Sequence, residues 1–465
     1  MAEPSEGSDQ GGGSDKGTGS DQGGGSDQGE GSDQAGASMR GMATLCGLAI
    51  VAGVAIGFIG GAFRWCLREA DEWRVEMLRW AHELPGPGWL VPVAITATGA
   101  ALAALIVRQI PLASGSGIQH VEAVSRGESD PPPLLVLPAK FVGGLLSIGS
   151  GMILGREGPT VHMGATIGAE AGRRAHLDDD DVRLMQTSVA GAGLAVAFNA
   201  PIGGALFVFE EVTKTFRMRT VIPTLLAVAV GVGCSRIIMG DRPDFLVGAV
   251  QSPSVALLPV FVVFGLLTGL LGIFYNRVIL GLLQLVSRVG RVPGVSKAAI
   301  IGAIIGALLA IDPLTAGGGD TLAQKLIGGG SVALPVIAGY LAVRLIAGPL
   351  SYASAAPGGL FAPLLAVGAL WGVLFVGLAD AVVPGVDSSL TVAMALVGMA
   401  AFFGAVVRAP ITGVVIVIEM TATTSVTVPM IAATAAAVLV AQLAGSPPIY
   451  DSLRERMLDA QKPKP

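Results

Sequence analysis

The chain has 465 residues, of which 52% are hydrophobic and 14% charged, with a formal net charge of -5. A mean hydropathy of +0.68 is too apolar for a chain that must keep a whole surface in water, so a soluble globular protein is excluded. No basic block suggests nucleic acid, and the composition fits an integral membrane protein.

In chain order, residues 1–38 are a Gly/Ser/Asp-rich repeat that can bury nothing, and a disordered tail is expected there. It has no apolar signal core, so the first span, near 44–63, reads as a retained anchor. Its GVAIGFIGG face predicts close helix packing, as does GAIIGALLA further on. Four stretches, 185–209, 245–276, 345–379 and 420–450, hold no Asp, Glu, Lys or Arg. Each can cross a hydrocarbon core, which takes about 20 helical residues. The longer ones predict tilted helices or half-helices joined inside the protein. None alternates polar and apolar residues as barrel strands do.

Charge collects in short links: GRRAHLDDDDVR at 172–183, TKTFRMR at 213–219 and RVGRVPGVSK at 288–297, with the acidic-leaning GDRPD at 240–244. If the basic links face the cytoplasm, both termini lie there too. Cys46, Cys66 and Cys234 and the four scattered histidines form no metal spacing, so no metal site or other cofactor is expected.

Two pieces of the first half recur in the second. AFNAPIGGALFVFEE (197–211) resembles VVRAPITGVVIVIEM (406–420), and GREGPTVHMGATIG (155–168) resembles GGLFAPLLAVGALWG (358–372) less strictly. Matching order and spacing predict duplicated halves, about 44–240 and 250–445, of inverted topology. The fold class is therefore an all-α polytopic membrane protein with many tilted and interrupted helices.

With Pro159 and Pro363 at or near the first helical position, GREG and GGLF become loops whose amides point at a helix start. Such amides attract an anion through partial charges and still release it. Gly115, Ser116 and Gly117 in SGSGIQ offer a third close approach. Glu157 then acts as a tethered competitor for the anion: charged, it occupies the site, and protonated, it leaves. Burial favours its neutral form and amide donors its charged form. Arg156 balances charge or steers anions, and a plain Arg156–Glu157 surface pair is the alternative. Either Glu210 or Glu211 could collect protons while the other pairs with Lys214 or Arg217, and the residues do not decide between them. His162 follows the motif closely enough to pack behind its site. Tyr450 in GSPPIY reads more readily as an interfacial anchor than as an inward hydroxyl.

GSGIQ (115–119), GREGP (155–159), GLFAP (359–363), NAPIGG with FEE (199–211) and Tyr450 stand in an order that resembles the CLC family of chloride channels and chloride/proton antiporters. The resemblance covers roughly 40–458, with 39–458 as the transmembrane domain and 459–465 as a short tail. It implies a homodimer with one pathway per subunit, embedded in lipid, in a cell inner membrane. It implies Glu157 as the external gate and Glu211 as the internal proton-transfer residue. Ser116, Tyr450 and the backbone amides of Leu360 and Phe361 are implied as chloride ligands, with Gly115, Gly117, Arg156 and Gly158 supporting them. The departures are Gln119, where the family has proline, and His120 beside it, which could make the inner mouth sensitive to pH.

The implied activity is secondary active exchange of about two chloride ions for one proton, without a cofactor. A passive chloride channel of the same fold is the alternative. A membrane enzyme is a further one, but no compact Ser/His/Asp cluster supports it.

Overall fold

The computed structural model describes residues 27–462 except 249, 251 and 384, with the backbone alone for 27–38 and 40. The tail expected over residues 1–26 lies outside the described residues. Residues 27–38, which composition assigns to the same tail, are helical backbone at the start of α1 (Asp27–Glu83). By contacts, residues 1–44 form one unit and Leu45–Pro465 another. All packing described below lies within the second.

Among the described residues, eight helices are long and apolar enough to cross a membrane. The described residues form no strand and one isolated bridge. The first half continues with α2 (Leu90–Gln109), α3 (Ile118–Ser125), α4 (Val136–Gly149), α5 (Glu157–Arg174), α6 (Asp179–Phe198), α7 (Pro201–Phe207) and α8 (Met218–Met239). The second half has α9 (Leu258–Arg288), α10 (Gly294–Ile311), α11 (Asp320–Ile327), α12 (Leu334–Ala353), α13 (Phe361–Ala379), α14 (Thr391–Val407), α15 (Pro410–Thr421) and α16 (Thr427–Leu443). A final helix, α17 (Ile449–Gln461), follows them.

The halves match helix for helix, and their joints match in backbone angle. Asn199 before α7 and Arg408 before α15 are both left-handed, at φ 52° and 72°. The next residue in each half, Ala200 or Ala409, is non-helical at similar angles (φ -123°, ψ 82° and φ -114°, ψ 71°), and proline opens the helix. The sequence comparison missed a further pair: α3 and α11 both start from a left-handed glycine, Gly117 at φ 89° and Gly319 at φ 105°.

Reciprocal bonds between equivalent residues mark a two-fold relation between the halves. Gly155 N–H donates to the Gly359 carbonyl at 2.8 Å, and Gly359 N–H donates back at 2.7 Å. Glu210, in the turn that continues α7, accepts from the amides of Ile411 and Thr412 at 3.0 and 2.7 Å. Glu419, at the end of α15, accepts from Ile202 and Gly203 at 3.0 and 2.7 Å. Each helix end thus caps the other's start, so α7 and α15 run antiparallel, as inverted halves require. Each carboxylate also meets the amides and dipole of a helix N-terminus, where negative charge is favoured.

The expected close packing is present. A methyl on Gly57 of the GVAIGFIGG face would lie 2.5 Å from the Gly231 carbonyl of α8. On α13 a methyl on Gly372 would lie 2.1 Å from the Met394 carbonyl of α14 and 2.6 Å from its carbon. Both obstacles are backbone, so the helices themselves must part. Gly372→Ala is therefore expected to cost about 1–3 kcal/mol, read as earlier thermal aggregation in detergent; an unchanged transition would contradict this packing.

The aspartates of the 172–183 link are helix-start chemistry. Asp178 accepts from the Asp181 amide at 2.8 Å, and Asp179, Asp180 and Asp181 fill the first turn of α6.

Candidate anion and proton site

The starts of α5 and α13 and the SGSGI loop meet inside the Leu45–Pro465 unit. α5 begins at Glu157 and α13 at Phe361, which puts Pro159 and Pro363 at the third helical position rather than the first. Proline costs little there too, because the first amides of a helix have no intrahelical acceptor. A methyl on Gly158 would lie 2.5 Å from Ser116 Oγ, and one on Gly359 would lie 2.9 Å from the Gly158 nitrogen. Only glycine allows the three segments to approach this closely. Gly115 and Gly117 flank Ser116 at φ 56° and 89°, where a side chain would be strained.

Glu157 is 1% exposed, and neither carboxyl oxygen makes a well-formed hydrogen bond. The carboxyl lies over Gly155 and faces the amides of Glu157 itself and of Ala362, the second residue of α13. It thus occupies the converging helix starts, where an anion would be held.

Ser116 is fully buried. Tyr450 is also fully buried, its hydroxyl has no partner, and its ring stands edge-on to Phe361 at 5.6 Å. The interfacial-anchor expectation for Tyr450 is corrected: α17 begins at Ile449, which turns the phenol inward instead of leaving it at a chain end. Leu360 caps α13 and Phe361 is its first residue, so their amides stand at that helix start. Tyr352 was not anticipated. Its hydroxyl stands near the Ser116 backbone and the Gln119 side chain, so where the family has proline an amide here faces α12.

The ambiguity between Glu210 and Glu211 has a geometric answer. Glu210 is engaged on α15, as above, and Lys214 pairs with Asp451 at 3.0 Å rather than with either glutamate. Glu211 is 1% exposed, in a five-residue π turn (Val208–Val212) that continues α7. It faces Glu122 of α3, which is fully buried and has both oxygens unpartnered. The sequence reading passed over Glu122; the available signal was a lone acid on a short apolar helix just after SGSGIQ. Asp451, held by Arg126 at 2.8 Å, acts electrostatically on both glutamates. Tyr352, Glu157, Glu211 and Glu122 all act electrostatically on Tyr450.

Arg156 makes no pair with Glu157. It donates to Asp244 at 3.0 Å, Asp320 at 3.3 Å and the Ala197 carbonyl at 3.1 Å. Asp244 also binds Arg64 at 2.5 Å, and the side chains of this second pair are each 7% exposed. These groups line a cavity of about 410 Å³ with five arginines and three aspartates, an excess of positive charge that draws anions inward. Asp244→Ala leaves Arg64 buried without its anion, at a cost of about 3–5 kcal/mol. Reduced yield of folded protein and a lower unfolding temperature are expected, and wild-type stability would contradict the bridging role.

Paired helix starts around a buried carboxyl and hydroxyls, in an all-helical chain of inverted halves, define an anion-handling membrane transport protein. The chain belongs to the CLC family. The sequence profile described as "Voltage gated chloride channel" matches residues 99–442. The chain is 36% identical over 416 residues to the H(+)/Cl(-) exchange transporter ClcA of Vibrio parahaemolyticus, covering 87% of this chain and 88% of the relative. It is 34% identical over 416 residues to the protein of the same name from Cronobacter sakazakii, with the same coverage. Among solved structures, a slow cyanobacterial Cl-/H+ antiporter superposes with a TM-score of 0.83 at 30% identity, covering 90% of this chain and 99% of the other. A CLC-type fluoride/proton antiporter, at 21% identity and a TM-score of 0.72 over 86% of this chain and 95% of the other, shares the fold.

Proposed function

We propose that this protein is a secondary active antiporter that exchanges chloride for protons, about two chloride ions for one proton, across the membrane. The observation that carries this reading is the Glu157 carboxyl, buried at the starts of α5 and α13 with no cation of its own. Chloride and the charged carboxyl then compete for one site, so protonation and anion entry alternate.

In this cycle anions collect at the arginine-rich mouth, and a proton from that side neutralises Glu157, which swings out of the anion's place. Chloride is held by the Ser116 and Tyr450 hydroxyls and the amides of Leu360 and Phe361, all weak enough to release it. The proton leaves through Glu211 and its neighbour Glu122 on the opposite side. Gly115, Gly117 and Gly158 keep the backbone close to the ion, and Arg156, tied to Asp244 and Asp320, leaves Glu157 free to move.

We further propose a homodimer with one pathway per subunit, in a cell inner membrane with both termini cytoplasmic. Every named ligand lies within a single chain, which supports independent pathways. The basic links support the orientation.

The test is proton movement in proteoliposomes under an imposed chloride gradient, with voltage set and an uncoupler as reference. Uphill proton movement driven by chloride establishes exchange. Chloride flux without it favours the passive channel.

A further inference from the structure

Behind the Ser116 loop lie two imidazoles that the exchange cycle leaves unused. His120 of α3 is 2% exposed and His162 of α5 is fully buried. His120 Nδ1 and His162 Nε2 are 3.1 Å apart, with the rings edge to face at 5.2 Å. The Asp130 backbone carbonyl stands near the His120 ring and favours a proton on it. In the tautomer that turns the His120 proton toward Asp130, His120 Nδ1 is a lone pair and the proton between the rings sits on His162 Nε2. His162 Nδ1 is then a second lone pair, and it has no partner. It lies against the residue after Ser116: a methyl on Gly117 would be 2.4 Å from it. A cavity of about 420 Å³, lined by Gly117, Gln119, His120 and Tyr352, reaches His120, and His162 stands behind it.

The charged groups around the pair come from four elements. Lys140 of α4 donates to the Ser114 and Gly115 carbonyls at 3.2 and 2.7 Å, and its charge acts on both rings. The Asp130 carboxylate acts on His120 from the loop before α4. Arg456 of α17 lines the same cavity. Glu122 stands on α3 itself and faces Glu211.

We infer that His162 Nδ1 is a proton-binding site that sets the affinity of the adjacent anion site. A proton there puts a positive charge directly behind the Ser116 loop and tightens chloride. Lys140 opposes that proton when the site is empty, and the chloride charge offsets Lys140 when it is full. By linkage, chloride must then tighten the proton by the same factor. His120 and His162 are positioning residues, since they act on the ion through the loop. The inference rests on the proposed chloride site at Ser116.

The test uses the full chain carrying Glu157→Gln, so that the gate no longer titrates. Chloride binding is measured by calorimetry between about pH 4 and pH 8, a range that extends below an exposed imidazole's titration because burial and the Lys140 charge oppose the proton on His162. Proton uptake on chloride addition is read in weak buffer. Affinity is expected to rise about tenfold toward the acidic end, about 1.4 kcal/mol, with linked proton uptake. His162→Gln in the same background should flatten both. His120→Gln, which keeps an acceptor for His162 Nε2–H, should retain most of the dependence. Pronounced pH dependence surviving in His162→Gln would assign the proton to the Glu122–Glu211 pair and overturn the inference. Chloride binding that is flat with pH in the Glu157→Gln parent overturns the inference alone, whereas no chloride binding at any pH overturns the chloride reading with it.

Discussion

Replacing Glu157 by glutamine is expected to leave chloride flux running and to abolish uphill proton movement. The carboxyl lies at the α5 and α13 starts without a counter-ion, so its charge is what holds it against the amides. An amide of the same shape has no such charge and takes up no transported proton. The change in coupling is all or none, while folding is little affected because no well-formed hydrogen bond is lost. Parallel chloride and proton assays in proteoliposomes check it; proton pumping retained in Glu157→Gln would remove this residue from the cycle.

The second large effect is expected on the other carboxylate. Glu211→Gln should stop proton transport and leave chloride transport in place, because Glu211 lies beside Glu122 rather than against the α13 start. Glu210→Gln is the control: Glu210 caps α15 through Ile411 and Thr412, so it should lower stability and leave coupling intact. The reverse pattern, with coupling lost in Glu210→Gln and kept in Glu211→Gln, would exchange the two roles.

The glycine-flanked loops and the repeated Ala-Pro steps were legible because each depends on local chemistry. An Asn-Ala-Pro or Arg-Ala-Pro step needs a left-handed residue, a non-helical one and a helix start in sequence, and both halves show it. The register of Pro159 and Pro363 was less determined, since all the first amides lack acceptors and proline is tolerated at several positions. What depended on distant partners was not legible. Glu210 and Glu211 are neighbours of one type, separated only by a π turn and by a cap on a helix about two hundred residues away. Glu122 and Tyr352 carry no motif of their own and gain meaning from facing Glu211 and Ser116. The α3 and α11 match was hidden because SGSGI and GGGD share little beyond glycines at positive φ.

The most direct test of coupling through the Glu157 site is the zero-current potential of the reconstituted wild-type protein under independent chloride and pH gradients. Exchange requires that potential to move when the pH gradient alone is changed, and Glu157→Gln to remove the movement. A potential set by chloride alone in the wild type would contradict coupled exchange and leave a channel.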